Sequence, residues 1–301
     1  MLMRARKGLC CVVGGVLLVL FATSCAAPRP LQEESEGSDH TFEVELGPIL
    51  RPGQLIFVTL RLENGKSFEC LVDTGSTSTE FPTSVEEELG AKVGERSFRN
   101  LHAGPFKERL YKAPRVFLGT NQLLLGETVG VSRDFGVLGV DCLRNYCLQF
   151  DFESRVLRFN PRSSATNAFG QKFALKNSRT TVIQSAGLLE CASRVVLLDS
   201  GCQFDGYIAP SLFKDEDILL QGELIPVVGA HSSDYDSMSS VPVPYVFHDV
   251  KWEGNLYSDV ILAIHPVKRA RFDILGMKFI ERHNVTIDYP EGVVWIKRIR
   301  P

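Results

Sequence analysis

The sequence of 301 residues holds no CxxC pair and no Cys/His spacing of the kind that builds a zinc site. It has no HExxH, no GxSxG elbow and no Gly-rich phosphate loop. These absences remove the zinc-peptidase, serine-hydrolase and nucleotide-binding readings. There is no excess of basic residues either. The formal net charge is −3, which argues against a nucleic-acid partner. Long apolar runs are missing: Leu9 to Ala22 is shorter than the roughly 20 residues a membrane-spanning helix needs. Hydrophobic residues are 44% and charged residues 23%, so the bulk of the chain is not disordered.

What the N-terminus does hold is a leader. Arg4, Arg6 and Lys7 precede the apolar run, and Ala22-Thr23-Ser24-Cys25 closes it. Such a segment has the anatomy of an export signal over residues 1–25. Small residues before a Cys resemble a bacterial lipobox, which makes Cys25 the lipidation site. The other reading is ordinary cleavage near Ala26 or Ala27. The expected location is outside the cytoplasm, periplasmic or cell-surface, with a lipid anchor in the membrane. Residues 26–40 carry Pro28, Pro30, Glu33, Glu34, Glu36 and Asp39, and read as an acidic linker. Downstream lie Cys70, Cys142, Cys147, Cys191 and Cys202. Five is odd, so at least one thiol is free or pairs between chains. Cys142 and Cys147 are the nearest pair, and the set is read mainly as buried small hydrophobes.

The remaining sequence is one unit written twice. Leu71-Val72-Asp73-Thr74-Gly75-Ser76 is matched 126 residues later by Leu197-Leu198-Asp199-Ser200-Gly201-Cys202. Val137-Leu138-Gly139 is matched 137 residues later by Ile274-Leu275-Gly276. A short helical stretch and two strands follow each: Leu148 to Phe152 and Val156 to Phe159, then Val285 to Tyr289 and Val293 to Ile296. The second copy therefore holds 11 more residues between its motifs. The expected boundaries are 41–161 and 162–301, with a linker over Pro161 to Lys172. Asn64-Gly65 marks a hairpin between Leu55–Leu62 and Ser67–Val72. Ser84 to Glu87 resembles a capping box opening a short helix that stops at Gly90.

A carboxylate at the end of an apolar strand is costly unless it is paired or hydrogen-bonded. If the two copies face each other, Asp73 and Asp199 meet and share one proton. The protonated member can donate to a substrate carbonyl while the ionised member takes a proton from water. Thr74 and Ser200 can hold the loops together, and Gly75 and Gly201 allow close backbone approach.

On these residues the chain resembles the aspartic proteases, as two retropepsin-like units in tandem. The resemblance covers about residues 41–300 and includes the elements ending at Gly139 and Gly276. It implies a mainly β, bilobal acid-protease-like β-barrel fold with two pseudo-twofold-related lobes and the active site between them. It further implies an endopeptidase with Asp73 and Asp199 as the dyad and Thr74, Gly75, Ser200 and Gly201 in support. Peptides or proteins would be the substrates, with no cofactor and no metal, and the chain is expected to be a monomer. The family also has a flap; Gly104 and Gly229 are candidate tips or ordinary turn glycines. Two positions depart from the pattern: Lys278 replaces the first copy's Asp141, and Cys202 stands where Ser76 does. They motivate an alternative, a non-catalytic envelope lipoprotein that uses the fold as a peptide- or protein-binding scaffold.

The six His read as surface or loop residues. The charged runs Lys268–Arg271 and Lys297–Arg300 read as solvated loops, and Trp252 and Trp295 as core or groove residues.

Overall fold

Alternation of apolar and polar residues makes the strands. In Phe57–Leu62, Val58, Leu60 and Leu62 are buried while Phe57 and Thr59 face out. The computed structural model describes residues 41–47, 55–100, 104–160, 170–185, 194–209, 223–224, 244–264 and 272–299. These are mainly β. The leader, the linker, Cys25, Cys191, Gly229 and the Lys268–Arg271 run lie outside them.

The first half contributes β1 (Phe42–Glu45), β2 (Phe57–Leu62), β3 (Ser67–Val72), β4 (Glu80–Pro82), β5 (Lys92–Asn100), β6 (Gly104–Lys112), β7 (Val116–Leu118), β8 (Asn121–Gln122), β9 (Thr128–Arg133), β10 (Gly136–Leu138), helix α1 (Val140–Leu143), β11 (Cys147–Asp151) and β12 (Val156–Asn160). The second contributes β13 (Gln171–Ala174), β14 (Val182–Ser185), β15 (Arg194–Asp199), β16 (Gly206–Ile208), β17 (Glu223–Leu224), β18 (Pro244–Phe247), β19 (Val250–Trp252), β20 (Asn255–Tyr257), β21 (Val260–Ile264), β22 (Phe272–Gly276), helix α2 (Met277–Ile280), β23 (His283–Asp288) and β24 (Val293–Arg298).

The repeat is written into the topology. One sheet runs β5-β6-β9-β4-β10-β3-β2, followed by β7 and β8. Another runs β17-β18-β21-β16-β22-β15-β14, the same order of corresponding strands. In each, the strand entering the Asp lies parallel to the strand entering the Gly: Val72 pairs with Leu138, and Leu198 with Leu275. A third sheet, β1-β12-β11-β23-β24-β13, joins the halves. At its centre Gln149 pairs with Thr286, two residues related by the repeat spacing of 137. The seam therefore carries a local twofold.

The Asn64-Gly65 hairpin forms as its sequence dictates, with Gly65 at φ 91°. The short helix forms, as a 3-10 helix over Thr83–Leu89 that ends at Gly90, but it follows Pro82 with no side-chain cap, so the box of Ser84 and Glu87 is not made. Glu86 pairs instead with Arg109 and Tyr111 of β6. The linker is shorter than expected, because Gln171 and Lys172 already pair with β24. The described charged residues of the Lys297–Arg300 run are solvated as expected, but not as a loop. Lys297 and Arg298 belong to β24, and Arg298 lies 4.6 Å over the Tyr257 ring. His283 is buried rather than exposed. Trp252 is core, stacked near Phe173, while Trp295 lies half-buried under Lys172. Cys70, Cys142, Cys147 and Cys202 are buried free thiols.

A candidate active site at the paired Asp loops

Each Asp ends an apolar strand whose alternate residues feed the main core. Val72 and Leu198 point into it, so Asp73 and Asp199, one residue on, sit on the other face. On the Asp199 side that face also carries a small apolar cluster of Leu197, Cys202, Tyr207, Ala263 and Ile274.

The loops brace each other reciprocally. Thr74 N–H donates to Ser200 Oγ at 3.0 Å, and Ser200 N–H donates to Thr74 Oγ1 at 3.0 Å. Each hydroxyl then donates onward to the opposite strand: Thr74 Oγ1 to Leu198 O at 2.8 Å and Ser200 Oγ to Val72 O at 2.6 Å. Both residues are buried.

This brace brings the carboxyl groups together across the seam, with the Asp199 carboxyl against Gly75 and the Asp73 carboxyl against Gly201. Gly75 N–H and Ser76 N–H donate to Asp73 Oδ1 at 2.8 and 3.0 Å. Gly201 N–H donates to Asp199 Oδ1 at 2.9 Å. The two glycines are needed for close approach. A Cβ on Gly75 would stand 2.4 Å from Asp199 Cγ, and one on Gly201 2.6 Å from Asp73 Cγ.

Loss of hydration raises the pKa of both carboxyls. Asp199 is raised further, because after desolvation the negative charge of Asp73 opposes its ionisation. Asp73 is held back by its two backbone donors, by the Asp199 proton and by the nearby Arg133 guanidinium. The pair therefore shares one proton, and the charge of Asp73 favours keeping it on Asp199.

Gly139 and Gly276 follow behind the two loops. A Cβ on Gly139 would meet Ser78 O at 2.3 Å, and one on Gly276 would meet Phe204 O at 2.3 Å. Asp73 N–H donates to Leu138 O at 3.0 Å, and Asp199 pairs with Gly276.

Both sequence departures have local explanations. Thr79 donates to Asp141 at 2.6 Å in the first half. The residue matching Thr79 is Asp205, and the cations Lys278 and Arg282 both offset its charge. The acid has moved to the other partner. Cys202 is buried, its sulfur against the backbone of Gly276. Gly104 opens β6 opposite Asn100, at the end of the β5–β6 hairpin.

Sequence reasoning missed Thr181. Its hydroxyl donates to Thr74 O at 2.9 Å and lies 2.6 Å from Tyr289 Oη. The available signal was a difference between copies: Tyr289 carries a hydroxyl where Phe152 does not.

Among the described residues no cluster of His, Cys, Asp and Glu is arranged to hold a metal. No protein-family model matches the chain, and no curated protein matches it.

Proposed function

We propose that the chain is an exported aspartic endopeptidase of bilobal acid-protease type, in which each half supplies one carboxylate. The observation that supports this reading is the facing pair of Asp73 and Asp199 carboxyls, cross-braced by Thr74 and Ser200. Of the features that suggested a non-catalytic scaffold, Lys278 offsets the buried charge of Asp205, and Cys202 packs against Gly276.

The chemistry follows from the unequal carboxyls. A water between them gives a proton to ionised Asp73 as its oxygen attacks the peptide carbonyl carbon. Asp199 gives its proton to the carbonyl oxygen, producing a gem-diol with no covalent bond to the enzyme. The C–N bond then breaks. The leaving nitrogen takes the proton held by Asp73, and a gem-diol hydroxyl returns one to Asp199. An acid and an amine leave, and the pair is restored.

Cleavage of a mixed peptide library across pH, with and without pepstatin, tests the reading. The wild-type chain cleaves and is inhibited, while Asp73→Asn and Asp199→Asn stay folded and do not cleave. Retained cleavage by either variant overturns the assignment. Export and lipidation at Cys25 rest on the leader sequence. Among the described residues no helix is long and apolar enough to cross a membrane. Loss of acyl labelling in Cys25→Ser, with labelling of the wild-type chain, tests the anchor.

A further inference from the structure

The two loops match in their glycine N–H contacts to the carboxylates but differ beneath them. The Thr74–Gly75 peptide unit presents N–H to Asp73 Oδ1 at 2.8 Å, and its carbonyl accepts the Thr181 hydroxyl at 2.9 Å. The Thr181 proton is committed to that carbonyl, so at 2.6 Å the Tyr289 hydroxyl is the donor to Thr181 Oγ1. The chain of donors runs Tyr289 to Thr181 to the Thr74–Gly75 amide to the Asp73 carboxylate. Thr181 and Tyr289 are both buried.

The second loop has the matching amide, with Gly201 N–H on Asp199 Oδ1 at 2.9 Å. It lacks the hydroxyls. Ile56 takes the place of Thr181, as the strand contacts show: Val72 N–H donates to Ile56 O at 2.9 Å and Leu198 N–H to Thr181 O at 3.0 Å. Phe152 takes the place of Tyr289.

We propose that Tyr289 and Thr181 are positioning residues that polarise the Thr74–Gly75 peptide and so set Asp73, rather than Asp199, as the ionised member of the pair. Hydrogen bonds in a chain strengthen one another, and here the last acceptor is the carboxylate. Other groups bearing on Asp73 are Asp199, the Arg133 guanidinium and the Cys202 thiol. None of them distinguishes the two amides as the hydroxyl chain does. Burial first, and the charge of Asp73 as well, push the Tyr289 hydroxyl up, so it remains a donor wherever the carboxyls titrate.

The proposal rests on the catalytic reading for its consequence in rate but not for its test. The carboxyl carbons of Asp73 and Asp199 are followed by NMR in 13C-labelled protein, assigned with the two Asp→Asn variants. The pH dependence of kcat/KM is measured alongside, on a peptide that the wild-type chain cleaves. Tyr289→Phe and Thr181→Val are expected to move the lower carboxyl midpoint and the acid limb upward by about 0.5–1 pH unit. That is about a 3- to 10-fold loss of kcat/KM below the limb, with little change above it. Thr181→Ser keeps the donor and keeps the wild-type profile. An unmoved midpoint in Tyr289→Phe, which deletes a single oxygen, overturns the proposal even if Thr181→Val fails to fold. So does a loss equal at every pH, the mark of a purely structural role. A wild-type chain that cleaves nothing defeats the peptidase reading, while the carboxyl titration still decides the relay.

Discussion

Thr74 and Ser200 exchange hydrogen bonds, each giving its N–H to the other's hydroxyl oxygen at 3.0 Å. Each carboxylate takes its backbone donors from its own loop, while the hydroxyls end on the opposite strand and fix the two loops against each other. The geometry of the candidate site is thus a property of the seam between the copies.

Removing one hydroxyl should expose that dependence. Ser200→Ala leaves the buried Thr74 N–H and Val72 O without their partners. At about 1–3 kcal/mol for each unsatisfied group, the loss is about 2–6 kcal/mol. Urea unfolding of Ser200→Ala and Ser200→Thr checks it. The Thr variant, which keeps the oxygen, should recover most of the loss. An Ala variant as stable as wild type would show that the loops are held by other contacts.

Glu108 offers a pH signature away from the pair. It is fully buried, with Arg96 2.8 Å from Oε2 and no hydrogen-bond partner for Oε1 among the described residues. Burial raises its pKa, and the charges of Glu80 and Asp141 add to that. A carboxyl raised in the folded state contributes stability below its unfolded pKa and loses it as pH rises through the folded one. Glu108→Gln cannot ionise. Its stability relative to wild type should improve as pH rises from about 4.5 and level off once pH passes the folded-state value, as read in denaturant titrations. A difference that does not vary with pH would contradict the assignment.

Much of this architecture was legible as repetition. Asp-hydroxyl-Gly and the later apolar-apolar-Gly element recur in order, and the strands they occupy correspond pair by pair. What repetition could not reveal is where the copies differ. Lys278 looked like drift because its partner, Asp205, lies 73 residues earlier and on another strand connection. Thr181 looked like any loop threonine, since its acceptor, Thr74 O, is 107 residues away. His283 sits among polar neighbours in sequence, and only the packing of Phe279, Trp252 and Tyr257 encloses it. The capping-box pattern failed because the helix starts one residue earlier, at Thr83 after Pro82, so Ser84 is inside it rather than at its cap.

The exchange of Thr79–Asp141 for Asp205 with its cations makes Arg282 indispensable. Asp205 is fully buried, Arg282 stands 3.1 Å from Oδ1, and Ile261 N–H donates to Oδ2 at 2.7 Å. Desolvation raises the Asp205 pKa even so, with Arg282 and Lys278 opposing. Arg282→Leu removes the nearer cation, at a cost of about 3 kcal/mol at neutral pH. Protonation of Asp205 relieves that cost. The destabilisation should therefore shrink as pH falls toward 5, and Asp205→Asn combined with Arg282→Leu should be less than additive. Additive losses in that double-mutant cycle would mean that the two side chains do not interact.

His283 carries the opposite pH sign. Its Nδ1 donates to Phe279 O at 2.9 Å and its Nε2 accepts from Tyr257 Oη at 2.8 Å, so the ring is neutral with both nitrogens used. Burial lowers its pKa to about 4, and the charges of Arg298 and Arg282 act in the same direction. A His lowered in the folded state contributes its stability above the unfolded value near 6.5 and loses it as pH falls toward 4. The interval corresponds to about 3 kcal/mol lost between pH 6.5 and 4. His283→Gln keeps a donor and an acceptor but cannot titrate. Measured by urea unfolding, its stability should fall less steeply over that interval than wild type, by about the same 3 kcal/mol. Equal slopes in the two proteins would mean that His283 is already charged in the folded state, and that the Tyr257 and Phe279 contacts do not hold it neutral.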